Sequence, residues 1–143
     1  MINRETVRDA LNAALTADLV TSKAVVQAVV GNLVTDPAGQ SPIVAILSAG
    51  SERPRMTFAG SRTIFAFQIQ TWVRVTGSSW TAANAEDRLD LIERYIAEYI
   101  EANQTATNWN AIEYAQASVV EDIVIGGEPY LVETIFIRVF KHG

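Results

Sequence analysis

The chain has 143 residues and a mass of 15.6 kDa, the size of a single domain, and its 49% hydrophobic and 19% charged residues supply enough apolar material for a core and exclude an intrinsically disordered chain. Acidic residues number 16 against 11 basic ones, for a net charge of −5, which disfavours tight binding to nucleic acid through a basic face. Cysteine is absent, so disulfides, thiolate zinc sites and a cysteine nucleophile are excluded, and the one histidine, His142, stands beside the last residue, away from where a triad or a zinc site needs it.

The opening MINRETVRDA carries charges at Arg4, Glu5, Arg8 and Asp9, where a signal peptide needs an apolar stretch. No run approaches the roughly 18–20 apolar residues that span a bilayer, so the chain reads as cytosolic when made. The first element is a helix. Val7, Ala10, Leu11, Ala14 and Leu15 recur at helical spacing. Asn3 is placed to cap it and Glu5 to complement its dipole, and the pattern fades after Leu19. Residues 24–34 are rich in valine, which suits a strand, although the alanines leave a helical continuation open.

Asp36-Pro37-Ala38-Gly39 reads as a turn, and Pro42 opens a second strand over Ile43–Leu47. Residues 49–62 form a long loop carrying Arg53, Arg55 and Arg62, the one locally basic stretch. A clear strand follows. Phe65, Phe67, Ile69, Thr71, Val73 and Val75 alternate with Ala66, Gln68, Gln70, Trp72 and Arg74, which predicts one face on a core and one mostly polar. Gly77-Ser78-Ser79 is a turn and Thr81 an N-cap for a second helix from about Ala82 to Ala102. Its stripe is Ala85, Leu89, Ile92, Ile96, Tyr99 and Ile100, with an Asp90–Arg94 pair on its surface. After a polar linker over 103–110, two strands close the chain, about Ser118–Ile125 and Tyr130–Lys141, joined by the hairpin signal Gly126-Gly127.

The expected fold is therefore one α+β domain over residues 1–143. It has the order α-β-β-β-α-β-β, an antiparallel or mixed sheet of four to five strands, and two main helices on one face. Leu11, Leu15, Phe67, Ile69, Val73, Leu89, Ile92, Ile96, Ile135 and Ile137 are expected to be buried.

Candidate chemistry is sparse. Glu121, Asp122, Glu128 and Glu133 cluster near the last hairpin, but no histidine, lysine or D-x-D spacing accompanies them, so a solvated strand face explains them better than a cation site. The glycines fit turns and match no phosphate-loop spacing, and the serines lack a general base. The expectation is no catalytic, cofactor-binding or metal-binding residue, and no cofactor. Arginine and aromatic side chains are enriched at protein interfaces. That makes Arg53, Arg55, Arg62, Trp80 and Trp109 interface candidates, with Asp87 and Asp90 on the second helix as an acidic counterpart.

Four stretches carry a family resemblance: SPIVAILSAGSERP over 41–54, FAFQIQTWVRV over 65–75, EDRLDLIERYIAEYI over 86–100 and the closing LVETIFIRVF over 131–140. In this series the chain resembles the tail terminator, or tail completion, proteins of long-tailed bacteriophages. The Ser-Pro–strand–Ser-Ala-Gly-Ser piece is the most distinctive part. The resemblance implies a virion structural protein, not an enzyme: a hexameric ring that caps the finished tail tube and presents the docking surface for the head connector. Its implied partners are further copies of itself, the tail tube protein and a connector or neck protein, with DNA passing through the lumen without specific binding and no membrane. Its implied location is the virion, and the host cytoplasm during assembly. Six copies at −5 each carry −30, which suits a DNA conduit better than a DNA binder. Another neck, head-closure or tail tube protein, or a small ligand-binding α+β domain, are the alternative readings.

Overall fold

The computed structural model describes residues 3–34, 37, 40–53, 62–77 and 80–142. Helix α1 spans Arg4–Leu15 and continues as a π-helical segment over Thr16–Ser22. The strands are β1 (Ala28–Val30), β2 (Ile43–Glu52), β3 (Arg62–Arg74), β4 (Ala111–Tyr114), β5 (Val119–Ile125) and β6 (Glu128–His142), with helix α2 (Ala82–Ala102) between β3 and β4. The class is α+β, with two main helices and a mixed sheet of six strands among the described residues.

The sheet runs β1-β2-β3-β6, and both β4 and β5 pair with the far edge of β6. β1 is parallel to β2, and all other pairings are antiparallel. β3 and β6 form its longest ladder, from Arg62 opposite His142 to Arg74 opposite Tyr130. β4 occupies the outer edge of β6 beside residues 137–140, and β5 occupies it beside residues 128–134. The turn between β5 and β6 is Gly126-Gly127, both at positive φ (58° and 79°), the conformation that a two-residue hairpin needs and glycine adopts without steric cost.

Both helices lie on one face. Val7, Leu11, Leu15 and Leu19 stand four residues apart and are all buried. An α-helix completes a turn in 3.6 residues, so such a stripe drifts around it; the wider π turn brings Leu19 back to the sheet. The segment closes with Lys23 N–H donating to Asp18 O and Val25 N–H to Leu19 O, around Ala24 at φ 53°. α2 starts at a capping box, in which Thr81 and Asn84 each accept the other's backbone N–H. Its Ala85, Leu89, Ile92, Ile96 and Ile100 are buried against the odd-numbered side chains of β3 and β6. All ten side chains expected in the core are buried.

Several expected elements differ. The valine-rich segment 24–34 yields only the three-residue β1, because Val25 and Val26 go into the helical-side core before the strand begins. Ala49–Glu52 extend β2 past a bulge between Ser48 and Gly50, and Arg62 opens β3, so the expected loop 49–62 is strand at both ends. β4 lies where only a polar linker and the approach to the next strand were expected, which raises the count to six. The second face is not simply polar: Ile43, Trp72, Tyr130 and Val132 form a small core there, with Val30, Val34, Ile123 and Ile125 packed around it. Arg94 pairs with Glu98 at 3.7 Å, one turn on along the helix, rather than with the expected Asp90 one turn back. Of the expected turns, Asp36, Ala38, Gly39, Ser78 and Ser79 lie outside the described residues.

Leu89→Ala or Ile92→Ala is expected to cost about 2–5 kcal/mol in urea unfolding, and a cost near zero would show that the α2 stripe does not rest on the sheet. Ala24→Gly is expected to raise stability by up to about 1 kcal/mol, because a left-handed alanine costs about 1–2 kcal/mol and glycine returns part of that as lost chain entropy. A thermal melt that falls on this change would place Ala24 in another conformation.

Candidate assembly interface

The strand ladders gather side chains from distant parts of the sequence at two ends of the sheet. The C-terminal end of β2, the N-terminal end of β3 and the C-terminal end of β6 lie together, since Glu52 stands opposite Ile64 and Ile64 opposite Phe140. The start of α1 joins them, with Arg4 donating to Ser51 Oγ at 3.1 Å and Arg8 to Ser48 Oγ at 2.9 Å. Arg53 and Arg62 are exposed at this end and stack on Phe65 and Phe140, at 5.4 Å and 5.3 Å from the ring centres. Arg138 also lies over Phe140 and pairs with Glu113 at 2.8 Å, and Lys141 is close by. Arg4, Arg8, Arg53, Arg62, Arg138 and Lys141 thus gather here from four separate stretches of sequence, with Glu5, Asp9, Glu52 and Glu113 among them.

The opposite end is acidic. The β5–β6 hairpin carries Glu121, Asp122 and Glu128, and the first turns of α2 carry Glu86 and Asp87. Arg74 answers Glu128 in a pair of 2.6 Å.

Two surfaces of the sheet lack a second layer among the described residues. One is half of the face away from the helices, where Ala66, Gln68, Gln70, Thr134 and Phe136 lie side by side. The other is the outer edge of β5, which pairs only with β6. Three of the four exposed large hydrophobic side chains among the described residues sit on this strand: Val119 at 42%, Val120 at 52% and Val124 at 68% exposure. A free strand edge with exposed valines is a template for another chain.

Between β4 and β5 the edge is interrupted over 115–118, and a buried carboxyl stands behind the gap. Glu133, only 6% exposed, points to the helical face and accepts a 2.7 Å hydrogen bond from Ser118 Oγ. Burial pushes its pKa up, and Glu93 and Asp90 of α2 push the same way against the opposing pull of Ser118. Directly across the ladder lies Thr71, whose buried Oγ1 has no hydrogen-bond partner among the described residues. Tyr114 donates to Glu93 at 3.3 Å, and burial followed by the Glu93 charge raises its pKa too. Among the described residues, no group of three or more His, Asp or Glu side chains is placed to hold a metal ion, and no helix is long and apolar enough to cross a membrane.

The interface candidates separate in space. Arg53 and Arg62 share the basic end, while Arg55 lies outside the described residues. Asp87 and Asp90 are exposed on α2. Trp80 is half-buried against the main core beneath Arg88, which also donates to Val25 O at 3.0 Å. Trp109 is 2% exposed and donates its Nε1–H to Asn103 O at 2.9 Å, so it closes the core beneath the C-terminal end of α2 and has no surface to offer. The β5 edge was not singled out from the sequence. Its signal is legible in SVVEDIVI: both faces of the strand mix aliphatic side chains with acid, the mark of a strand covered only in part. Comparison with known protein families and with curated proteins finds no match.

A carboxyl with a raised folded-state pKa stabilises the fold most when protonated, and that contribution is lost as pH rises through the raised value. Glu133→Gln keeps an acceptor for Ser118 and removes the charge. Its melting temperature, measured beside wild type between about pH 4 and 8, is expected to gain on wild type as pH rises above 4.5, the ordinary glutamate value. A gap that does not change with pH would mean that Glu133 titrates as an exposed carboxyl.

Proposed function

We propose that this chain is the subunit of a homo-oligomeric ring, a hexamer, that terminates a bacteriophage tail tube and receives the head connector. The observation that carries this reading is the uncovered part of the sheet among the described residues: a half-bare face and a β5 edge that pairs only with β6 and exposes three valines. Such a subunit has two different surfaces to offer, and a cyclic ring repeats one such heterologous contact until it closes. The series of segments set out above, from the Ser-Pro strand (41–54) to the closing hairpin (131–140), supplies the link to tail terminators.

In this role the protein is structural. Its work is to bind the last tube layer and stop growth, then offer the connector a ring-shaped face. The net charge of −5 per copy keeps DNA moving through the lumen rather than holding it.

The test is to add purified protein to tails assembled without their terminator, and to image them. Tails that stop growing, carry an extra ring of density at one end and then join filled heads are the expected result. Continued elongation with bare tube ends, and failure to join heads, overturns the proposal.

A further inference from the structure

We infer that the outer edge of β5 is a docking site for an extended segment of another protein, one that carries adjacent basic residues between aliphatic ones and joins the sheet as a further strand. This goes beyond the ring reading and does not rest on it, since a lone copy offers the edge and the half-bare face of the sheet is left for contact between copies.

The backbone makes the edge adhesive. Among the described residues β5 pairs only with β6, so the N–H and C=O groups of alternate residues point outward with no strand to meet. Val119 lies opposite Thr134, and Val120 and Val124 lie opposite Glu133 and Pro129, so exposed valines flank both faces of the edge. Helix α2 rests on β3, β4 and β6, and Val120 and Val124 stand exposed outside it. On the other face Ile123 and Ile125 pack against the small core and anchor the strand.

Charge selects the partner. From Tyr95 to Ile137 the chain carries seven acidic side chains and no lysine, arginine or histidine. Glu121 and Asp122 hold the middle of β5, one on each face. Glu133 lies directly behind Val120, and the charges of Glu93 and Asp90 on α2 reach it. The arginines that border this stretch are engaged, Arg94 with Glu98 and Arg138 with Glu113, and Arg74 pairs with Glu128 at the end of the hairpin.

A strand laid along β5 sets two of its residues opposite Glu121 and Asp122, and its flanking residues opposite Val119, Val120, Ile123 and Val124. Opposite charges stabilise such cross-strand pairs and like charges oppose them. The segment that fits therefore runs aliphatic-aliphatic-basic-basic-aliphatic-aliphatic. Its backbone supplies the hydrogen bonds and its side chains the selection. An antiparallel β5 of a second copy, centred on the same two residues, would set carboxylate against carboxylate and is turned away.

The probe is a capped peptide, Ser-Val-Ile-Lys-Arg-Val-Ile-Ser, compared with the peptide in which Glu-Asp replaces Lys-Arg. Calorimetric titration of the whole chain is read beside amide hydrogen exchange. The basic peptide is expected to bind about ten-fold more tightly than the acidic one, because two cross-strand pairs change sign. Its binding should weaken as salt rises and should slow exchange over 119–125. In Glu121→Lys with Asp122→Lys the preference is expected to reverse.

No binding of the basic peptide, equal binding of the two, protection that falls outside 119–125, or a preference that survives the reversal overturns the inference. Protection of 119–125 that grows with protein concentration in the absence of peptide assigns the edge to a second copy and overturns it as well. Where the double lysine variant does not melt like wild type by circular dichroism, Glu121→Gln with Asp122→Asn takes its place and is expected to abolish the preference. A wild type that caps tails without binding the peptide removes this inference alone, and a chain that binds the peptide but caps no tails removes the ring reading alone.

Discussion

The ladder between β3 and β6 is the constraint on which the other elements depend. Thirteen residue pairs, Arg62–His142 to Arg74–Tyr130, lock the two strands into one register. With that register set, alternation decides which side chains face the helices: Phe65, Phe67, Ile69 and Val73 on β3, with Leu131, Ile135, Ile137 and Val139 on β6. A slip by one residue would turn this set to the other face and strand the α2 stripe on polar side chains. The same alternation sends Trp72, Tyr130 and Val132 to the second face, where they form the small core with Ile43. Trp72 and Tyr130 meet edge to face at 5.9 Å, so even the lesser core is fixed by the central pair.

What could be read directly from the sequence is what depends on local periodicity. The alternation from Phe65 to Val73, the stripes of both helices and the Gly126-Gly127 turn each state their structure within a few residues. The parts that were not legible depend on contacts distant in sequence. β1 exists because Ala28–Val30 run parallel to Ile43–Ala45, a pairing that no local pattern announces. Trp109 sits among Asn, Thr and Gln, and reads as surface; its burial depends on Asn103 O lying in reach of the indole N–H and on α2 ending above it. Trp72 falls in the polar register of β3 and is buried because the small core lies over that end of the face.

Charge shows the same division. Along the sequence the only basic stretch is the one around Arg53–Arg62, and Arg4, Arg8, Arg138 and Lys141 look scattered. The antiparallel return of β6 beside β3, and the placing of α1 against β2, collect them at one end. The same ladders bring Glu52 and Glu113 to that end, so the cluster is mixed in sign.

The interruption at 115–118 has a consequence for how the sequence can change. Tyr114 stands opposite Ile137 and Val119 opposite Thr134, so four residues on the outer edge span two on β6. The surplus is even, and alternation therefore resumes in β5 with every side chain on its proper face. Both strands hold their own register through separate ladders to β6. Insertions or deletions in this short connection change the size of a surface loop and leave the faces of β5 intact, whereas one residue added within β3 would invert half the sheet. Homologous chains should accordingly tolerate length variation at this point of the edge while holding the length of the central strands constant.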